Sequence, residues 1–208
     1  MKKNNLILTI VVLTAILFST SGYAQTVTIG SQVWSSKNLD VATYRNGDVI
    51  PEVQDENAWA KLTTGAWCYY DNDTSNGTKY GKLYNWYAVS DPRGLAPNGY
   101  HIPTDTEWTQ LSDYLGGQSE AGRKMKSTIG WKDNGNATNS SGFSGLPGGS
   151  RDYSGSFNDI VYYGSWWSST EYNTGYAWDR RVSVYYGYFF RYSDGDKRIG
   201  FSVRCLRD

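Results

Sequence analysis

Imidazole and thiol are the side-chain groups that titrate nearest neutral pH, and this chain of 208 residues carries one of the first, His101, and two of the second, Cys68 and Cys205. His101 stands directly before Ile102-Pro103, at a strand end that leads into a helix, and reads as a packed or hydrogen-bonded structural histidine rather than a general base. Two thiols and one distant imidazole supply too few soft ligands for a metal. Asp105, Asp152, Asp159 and Glu171 are the carboxylates that could form a glycosidase pair, but their order in the chain sets no separation between them. There is no Gly-x-Ser-x-Gly elbow and no lysine-bearing phosphate loop. The run Asp71-Asn-Asp-Thr-Ser-Asn-Gly77 alternates oxygen ligands as a calcium loop does, yet the twelfth position, where a closing carboxylate is needed, is Lys82. That run is expected to be an Asx-rich turn between strands. The sequence therefore predicts no catalytic residue, no metal and no cofactor.

The stronger chemical signal is aromatic. The chain has 18 Tyr and 9 Trp, concentrated between Arg151 and Asp196 among Ser, Gly and Asn. Tyr and Trp present large contact areas with few rotors to freeze, and Ser, Gly and Asn adapt their hydrogen bonds, which is the composition of binding loops. Trp166, Trp167 and Phe201 are expected in the core, since a domain poor in Leu and Ile must fill it with aromatics. Tyr172, Tyr176, Tyr186, Tyr188 and Tyr192 stand among polar loop residues, where core and ligand-facing roles weigh evenly. Ala177 to Tyr192 alternates, and one strand running as far as Tyr188 would put Val182, Val184, Tyr186 and Tyr188 on one face. With the valines inward, Tyr185 and the loop residues Tyr172 and Tyr176 are left to stack on a sugar or a protein, and Asn173, Asp179 and Arg191 supply polar contacts. Those six residues are the predicted ligand-binding site.

The elements that must position them follow from turn and cap signals. Thr26 to Ile29 and Gln32 to Trp34 flank Gly30-Ser31 as a hairpin. Asp55 is placed to cap a short helix, and Gly65 to Tyr70 reads as a strand. Thr104 and Glu107 are spaced as a capping box, Trp108, Leu111 and Leu115 share a helical face, and Gly116-Gly117 ends the run. A second short helix holds Ala121 and Met125, and further strands are expected at Gly164 to Ser168 and Gly200 to Leu206. The predicted class is α+β, with short twisted antiparallel strands, long loops and one or two helices confined to the first half.

Compartment narrows the function. Lys2 and Lys3, the apolar run Leu6 to Phe18 and the small residues up to Ala24 have the layout of a secretory signal, so residues 1–24 are expected to be cleaved from a single domain spanning 25–208. Cleavage removes two of the 20 basic residues and none of the 20 acidic ones, leaving a net charge near −2. That balance excludes nucleic acid as a partner, and the apolar run is too short to leave a membrane-inserted product. Export makes a Cys68–Cys205 disulfide the expected state of the thiols, closing a loop for which chain entropy gives roughly 4 to 5 kcal/mol.

Six separated motifs also carry a resemblance. Gly30-Ser-Gln-Val-Trp34 with Asn38-Leu39, Tyr80-Gly-Lys-Leu-Tyr-Asn-Trp86, Leu95-Ala-Pro97 with His101-Ile-Pro-Thr104 and Glu107-Trp108, Leu146-Pro-Gly-Gly149, Trp166-Trp-Ser-Ser-Thr-Glu171 and Gly200-Phe-Ser-Val-Arg-Cys205 resemble, in order, the Fibrobacter succinogenes major paralogous domain family. The resemblance implies export from a bacterial cell, a C-type lectin-like fold and no established molecular function. It also explains why Ile102 to Trp108 is similar to a segment of formylglycine-generating sulfatase-modifying enzymes. Those enzymes hold copper with a cysteine pair in the second half of the domain, where this chain has only Cys205, so the resemblance carries the fold and not the oxidation. The expectation is a non-enzymatic domain that binds a glycan or protein ligand at the cell surface or outside the cell. A structural surface, fimbrial or matrix subunit is the second reading, and a relative of the sulfatase-modifying enzymes the third.

Overall fold

The computed structural model describes residues 25–208; the expected signal segment, residues 1–24, lies outside them. The first hairpin forms as its turn signal predicts, β1 (Thr26–Ile29) pairing antiparallel with β2 (Gln32–Ser35) around a left-handed Gly30. Asp55 caps α1 (Glu56–Ala60) by accepting from Ala58 N. The expected strand at Gly65–Tyr70 shortens to β3 (Trp67–Cys68).

The run Asp71–Gly77 departs from its expected form. Asp71 and Asn72 turn with positive φ, but Asp73 then accepts from Ser75 N and starts α2 (Thr74–Tyr80). Aspartate is as good an N-cap as a turn former, and here the cap wins. β4 (Leu83–Tyr84), α3 (Trp86–Val89) and β5 (Tyr100–His101) lead to α4 (Asp105–Tyr114), where Thr104 and Glu107 make both bonds of the capping box. α5 (Gln118–Met125) follows Gly117. There are thus five α-helices among the described residues instead of one or two, all before the strand-rich last third. None is long and apolar enough to cross a membrane.

The remaining strands are β6 (Gly148–Arg151), β7 (Phe157–Ile160), β8 (Tyr163–Glu171), β9 (Tyr176–Ser183), β10 (Phe189–Asp196) and β11 (Leu206–Arg207). They build a five-stranded sheet in the order β10-β9-β8-β6-β7, with β11 inserted between β2 and β5 in a second sheet and β3 paired with β4. The class is α+β. One pairing is parallel rather than antiparallel, β6 against β8 at Gly149 and Gly164.

The core is aromatic, as the composition requires. Trp34 and Trp108 pack with ring centroids 4.6 Å apart and planes tilted by 36°, Phe143 meets Trp166 edge-on at 5.6 Å, and the ring centroids of Trp167 and Phe201 lie 4.7 Å apart. Long loops leave many backbone carbonyls without ladder partners, and buried cations collect them. Arg204 donates to Ser35 O and Phe143 O, and Arg151 to Val53 O, Gln54 O and Gly155 O.

The expected Cys68–Cys205 disulfide does not form in this structure. Both thiols are free and buried. They belong to different packed clusters, Cys68 with Trp59, Tyr70 and Leu83, Cys205 with Trp86, Tyr100 and Val203. Burial pushes each thiol up to about 12.

Candidate functional site

The predicted site falls on the β9–β10 hairpin and its two ends. Phe189 stands opposite Val182 and Tyr192 opposite Asp179. Because side chains alternate along a strand, Arg180, Val182, Phe189 and Arg191 share one face while Asp179, Arg181, Phe190 and Tyr192 share the other. The expectation of one strand through Tyr188 is corrected here: β9 stops at Ser183 and the chain turns before Phe189. Val182 still points into the core, but Tyr186 and Tyr188 are exposed on the opposite side.

On the first face, Asp105 at the start of α4 holds two guanidinium groups. Arg191 reaches it with Nε, 3.0 Å from both carboxylate oxygens, and with Nη2 at 2.7 Å. Arg180 Nη2 donates to the same carboxylate at 2.8 Å and to Thr109 Oγ1 at 2.7 Å. Burial would raise the Asp105 pKa, but the two arginines outweigh it and hold the carboxyl below its ordinary value. The Arg191 guanidinium lies 3.7 Å from the centroid of Trp178, and Tyr172 packs edge-on against that ring at 5.4 Å. Tyr172 and Tyr176 are 54% and 43% exposed, at the β8–β9 turn. Asn173 shapes that turn: its side-chain oxygen accepts from Gly175 N and Tyr176 N.

On the second face the aromatics form a continuous ribbon. Tyr188 and Phe190 stack with centroids 5.5 Å apart and planes 16° from parallel, and Phe190 and Tyr192 follow at 5.9 Å and 26°. Tyr186 sets its ring across both Tyr188 and Phe190 at 6.3 Å, and Tyr185 and Tyr162 extend the row in further steps of 6.3 Å. Arg181 lies over Tyr192 at 4.7 Å.

The loop that carries the ribbon is held from below. Lys126, at the end of α5, is fully buried and donates to Ser183 O at 2.8 Å, to Tyr186 O at 2.9 Å and to Gly135 O. Its three ammonium protons are matched by three carbonyls, and none of its partners among the described residues is a carboxylate. Burial pushes its pKa down to about 8. Arg123 N donates to Gly187 O at 3.0 Å. A Cβ on Gly122 would stand 2.2 Å from Tyr188 O, so only glycine lets α5 approach this loop.

Of the six predicted residues, the structure groups Tyr172, Asn173 and Tyr176 at one end of the hairpin, sets Arg191 in its middle opposite Arg180 with its guanidinium over Trp178, and leaves Tyr185 at the other end. β9 is 8 residues long, so the ends are roughly 23 Å apart. Asp179 is not available to a ligand. It is completely buried and bonded to Arg181 Nε at 2.6 Å, and burial pushes its carboxyl up to about 6. Trp178, Phe190 and Lys126 escaped the sequence reading, and Asp105 entered it only as a candidate catalytic carboxylate. The i, i+2 spacing of Tyr186, Tyr188, Phe190 and Tyr192 was a usable signal, masked by the assumption that the strand continued through it.

His101 is engaged as a structural residue. Its Nδ1 lies 2.7 Å from Asp208 Oδ1 and its Nε2 2.9 Å from Glu107 Oε1. Burial would lower its pKa, but the two carboxylates raise it above the ordinary value. With both ring nitrogens bonded, the 320 Å³ pocket it shares with Arg45, Leu95, Thr104 and Ser169 has no free imidazole nitrogen to accept a proton.

The family model of the Fibrobacter succinogenes major domain matches residues 27–207. The chain belongs to that family. No curated protein and no solved structure matches it.

Proposed function

We propose that this is an exported, non-enzymatic binding domain of C-type lectin-like architecture that recognises an extracellular glycan or protein ligand through the aromatic surface of its β9–β10 hairpin, with a glycan the better fit. The ribbon from Tyr162 to Tyr192 carries the reading. Tyr185 and Tyr186 are 63% and 55% exposed although a folding chain gains by covering such rings, and they are positioned by neighbouring rings of the ribbon and, at Tyr186 O, by Lys126. Pre-positioned rings bind with little further loss of rotor entropy, and sugar C–H patches gain from a flat, weakly hydrated platform. Closure of β11 against β2 beside the first hairpin supports the lectin-like architecture.

Glycan and polysaccharide arrays probed with residues 25–208 test this. Saturable binding that falls about tenfold in Tyr188→Ala, with an unchanged denaturation midpoint, is the expected result. Binding that survives loss of Tyr185, Tyr186 and Tyr188 together would overturn the site. Assembly into filaments without any ligand would turn the reading to a structural surface subunit.

A further inference from the structure

The three charged residues at the first face of the hairpin do not balance. Asp105 is one carboxylate shared by two guanidinium groups, Arg180 and Arg191. Arg180 Nε is buried and finds no acceptor, a second sign that acceptors are short at this place. Asp105 is the carboxylate that acts on Arg191, and Arg191 Nη1 has no partner among the described residues. The side chain of Arg191 is 43% exposed, so the surplus positive charge of the cluster opens to solvent there. Carboxylates of neighbouring elements are committed elsewhere: Glu107 to His101 and Thr104, Glu171 to Lys197, and Asp196 to Arg198.

We infer that the Arg191, Trp178, Tyr172 and Tyr176 patch is a subsite for the carboxylate of an acidic saccharide, a uronate. This deepens the reading of the domain as a glycan binder and rests on it. One surplus charge matches a monovalent carboxylate, whereas a phosphate dianion would call for more cationic partners. The guanidinium is a fork already fixed in orientation by Asp105 on one edge and by the Trp178 face beneath it, so little is lost in aligning it with a second planar acceptor. Tyr172 and Tyr176 stand at the adjoining turn, where their exposed rings can take the apolar side of the sugar. The patch is on the face opposite the ribbon, so the two surfaces are separable by mutation.

Calorimetric titration with an oligogalacturonide and with the same oligosaccharide fully methyl-esterified tests the inference. The free acid should bind about tenfold more tightly than the ester, and the difference should shrink as ionic strength rises. Arg191→Gln should erase the difference; Arg180 continues to neutralise Asp105 in that variant. Tyr172→Ala, at an exposed ring, should weaken the acid several-fold and serves if Arg191→Gln misfolds. Equal binding of acid and ester, a difference that survives Arg191→Gln, no binding of the acid, or equally tight binding of a polyglutamate peptide would each overturn the inference. The ribbon variant Tyr188→Ala should leave the acid-to-ester ratio unchanged. Loss of all array binding to the ribbon with a persistent acid preference would defeat the proposed function of the ribbon and leave the uronate subsite standing.

Discussion

The two faces of the β9–β10 hairpin both display tyrosines, but they are held by different forces. The Tyr172–Trp178–Arg191 face is organised by ionised side chains around Asp105, at the capped end of α4. The ribbon face is organised from behind by backbone carbonyls gathered on one buried ammonium group, Lys126. Charge pairs at a half-exposed site are weakened by salt and by pH. Carbonyls around a buried cation are shielded from salt, loss of the cation leaves several polar groups unsatisfied at once, and only at alkaline pH does Lys126, its pKa pushed down to about 8, begin to lose its charge. The same loop-rich chain thus makes one adjustable surface and one stiff one.

The largest effects should come from breaking the stiff side. Lys126→Met keeps the length of the side chain but leaves the carbonyls of Gly135, Ser183 and Tyr186 without their donor, and should cost about 3 kcal/mol in a denaturant titration. Hydrogen exchange should rise first at residues 184–188. An equal rise throughout the sheet would show that Lys126 supports the whole domain and not the ribbon loop. Next in size is Gly122→Ala, normally favourable in a helix. Here the added methyl meets a backbone oxygen at 2.2 Å, so α5 must retreat from the loop at a cost of roughly 1 to 3 kcal/mol. A stabilised variant would mean that the close approach of α5 to Tyr188 is absent in solution.

Legibility in the sequence divides along similar lines. Features written in a few consecutive residues were readable: the Gly30-Ser31 hairpin, the Asp55 cap, the Thr104/Glu107 box, and the burial of Trp166, Trp167 and Phe201. Features created by distant parts of the chain were not. The break between Ser183 and Phe189 depends on Lys126, some 57 residues earlier than Ser183, so the alternating pattern looked like one strand that would carry Tyr186 and Tyr188 on the same face as the valines. Asp179 looked like a surface aspartate because nothing local shows that Arg181 and the core enclose it. The cysteines looked paired because a signal-like N-terminus and strand-like neighbours say nothing about which cluster each strand joins. The sequence reading therefore gathered residues that do belong to one hairpin and its ends, but divided them wrongly between its faces.

A moderate effect probes the start of α4, which presents Asp105 to both arginines. Thr104→Ala removes the side-chain acceptor for Glu107 N and should lower stability by about 1 kcal/mol. If Asp105 depends on that start for its position, the acid preference at Arg191 should also decline, while binding to the ribbon stays constant. A drop in both would show that the two faces are coupled through the sheet.

The smallest effect is a pH dependence on the adjustable side. His101 bridges Glu107, in the first turn of α4, and Asp208, beside the last strand. Burial opposes its charge, but the bonds to Asp208 and Glu107 raise its pKa above the ordinary value near 6.5. A group whose folded pKa is raised stabilises the fold fully below its unfolded pKa and loses that contribution as pH rises through the folded value. Stability should therefore decline slightly as pH climbs above about 6.5, and the decline should vanish in His101→Asn, which keeps a donor without the titration. The side chain is more than a third exposed, so the effect is a shift of a degree or two in Tm rather than a transition. Hydrogen exchange locates it: between about pH 6 and 7 the loosening should appear at α4 and at the β11 end, with the amides of residues 184–188 unmoved, because Lys126, which holds the ribbon loop, keeps its proton until the pH nears about 8. A matching change in the ribbon loop would mean that the stiff face also depends on this ion pair, and the distinction between the two faces would fail.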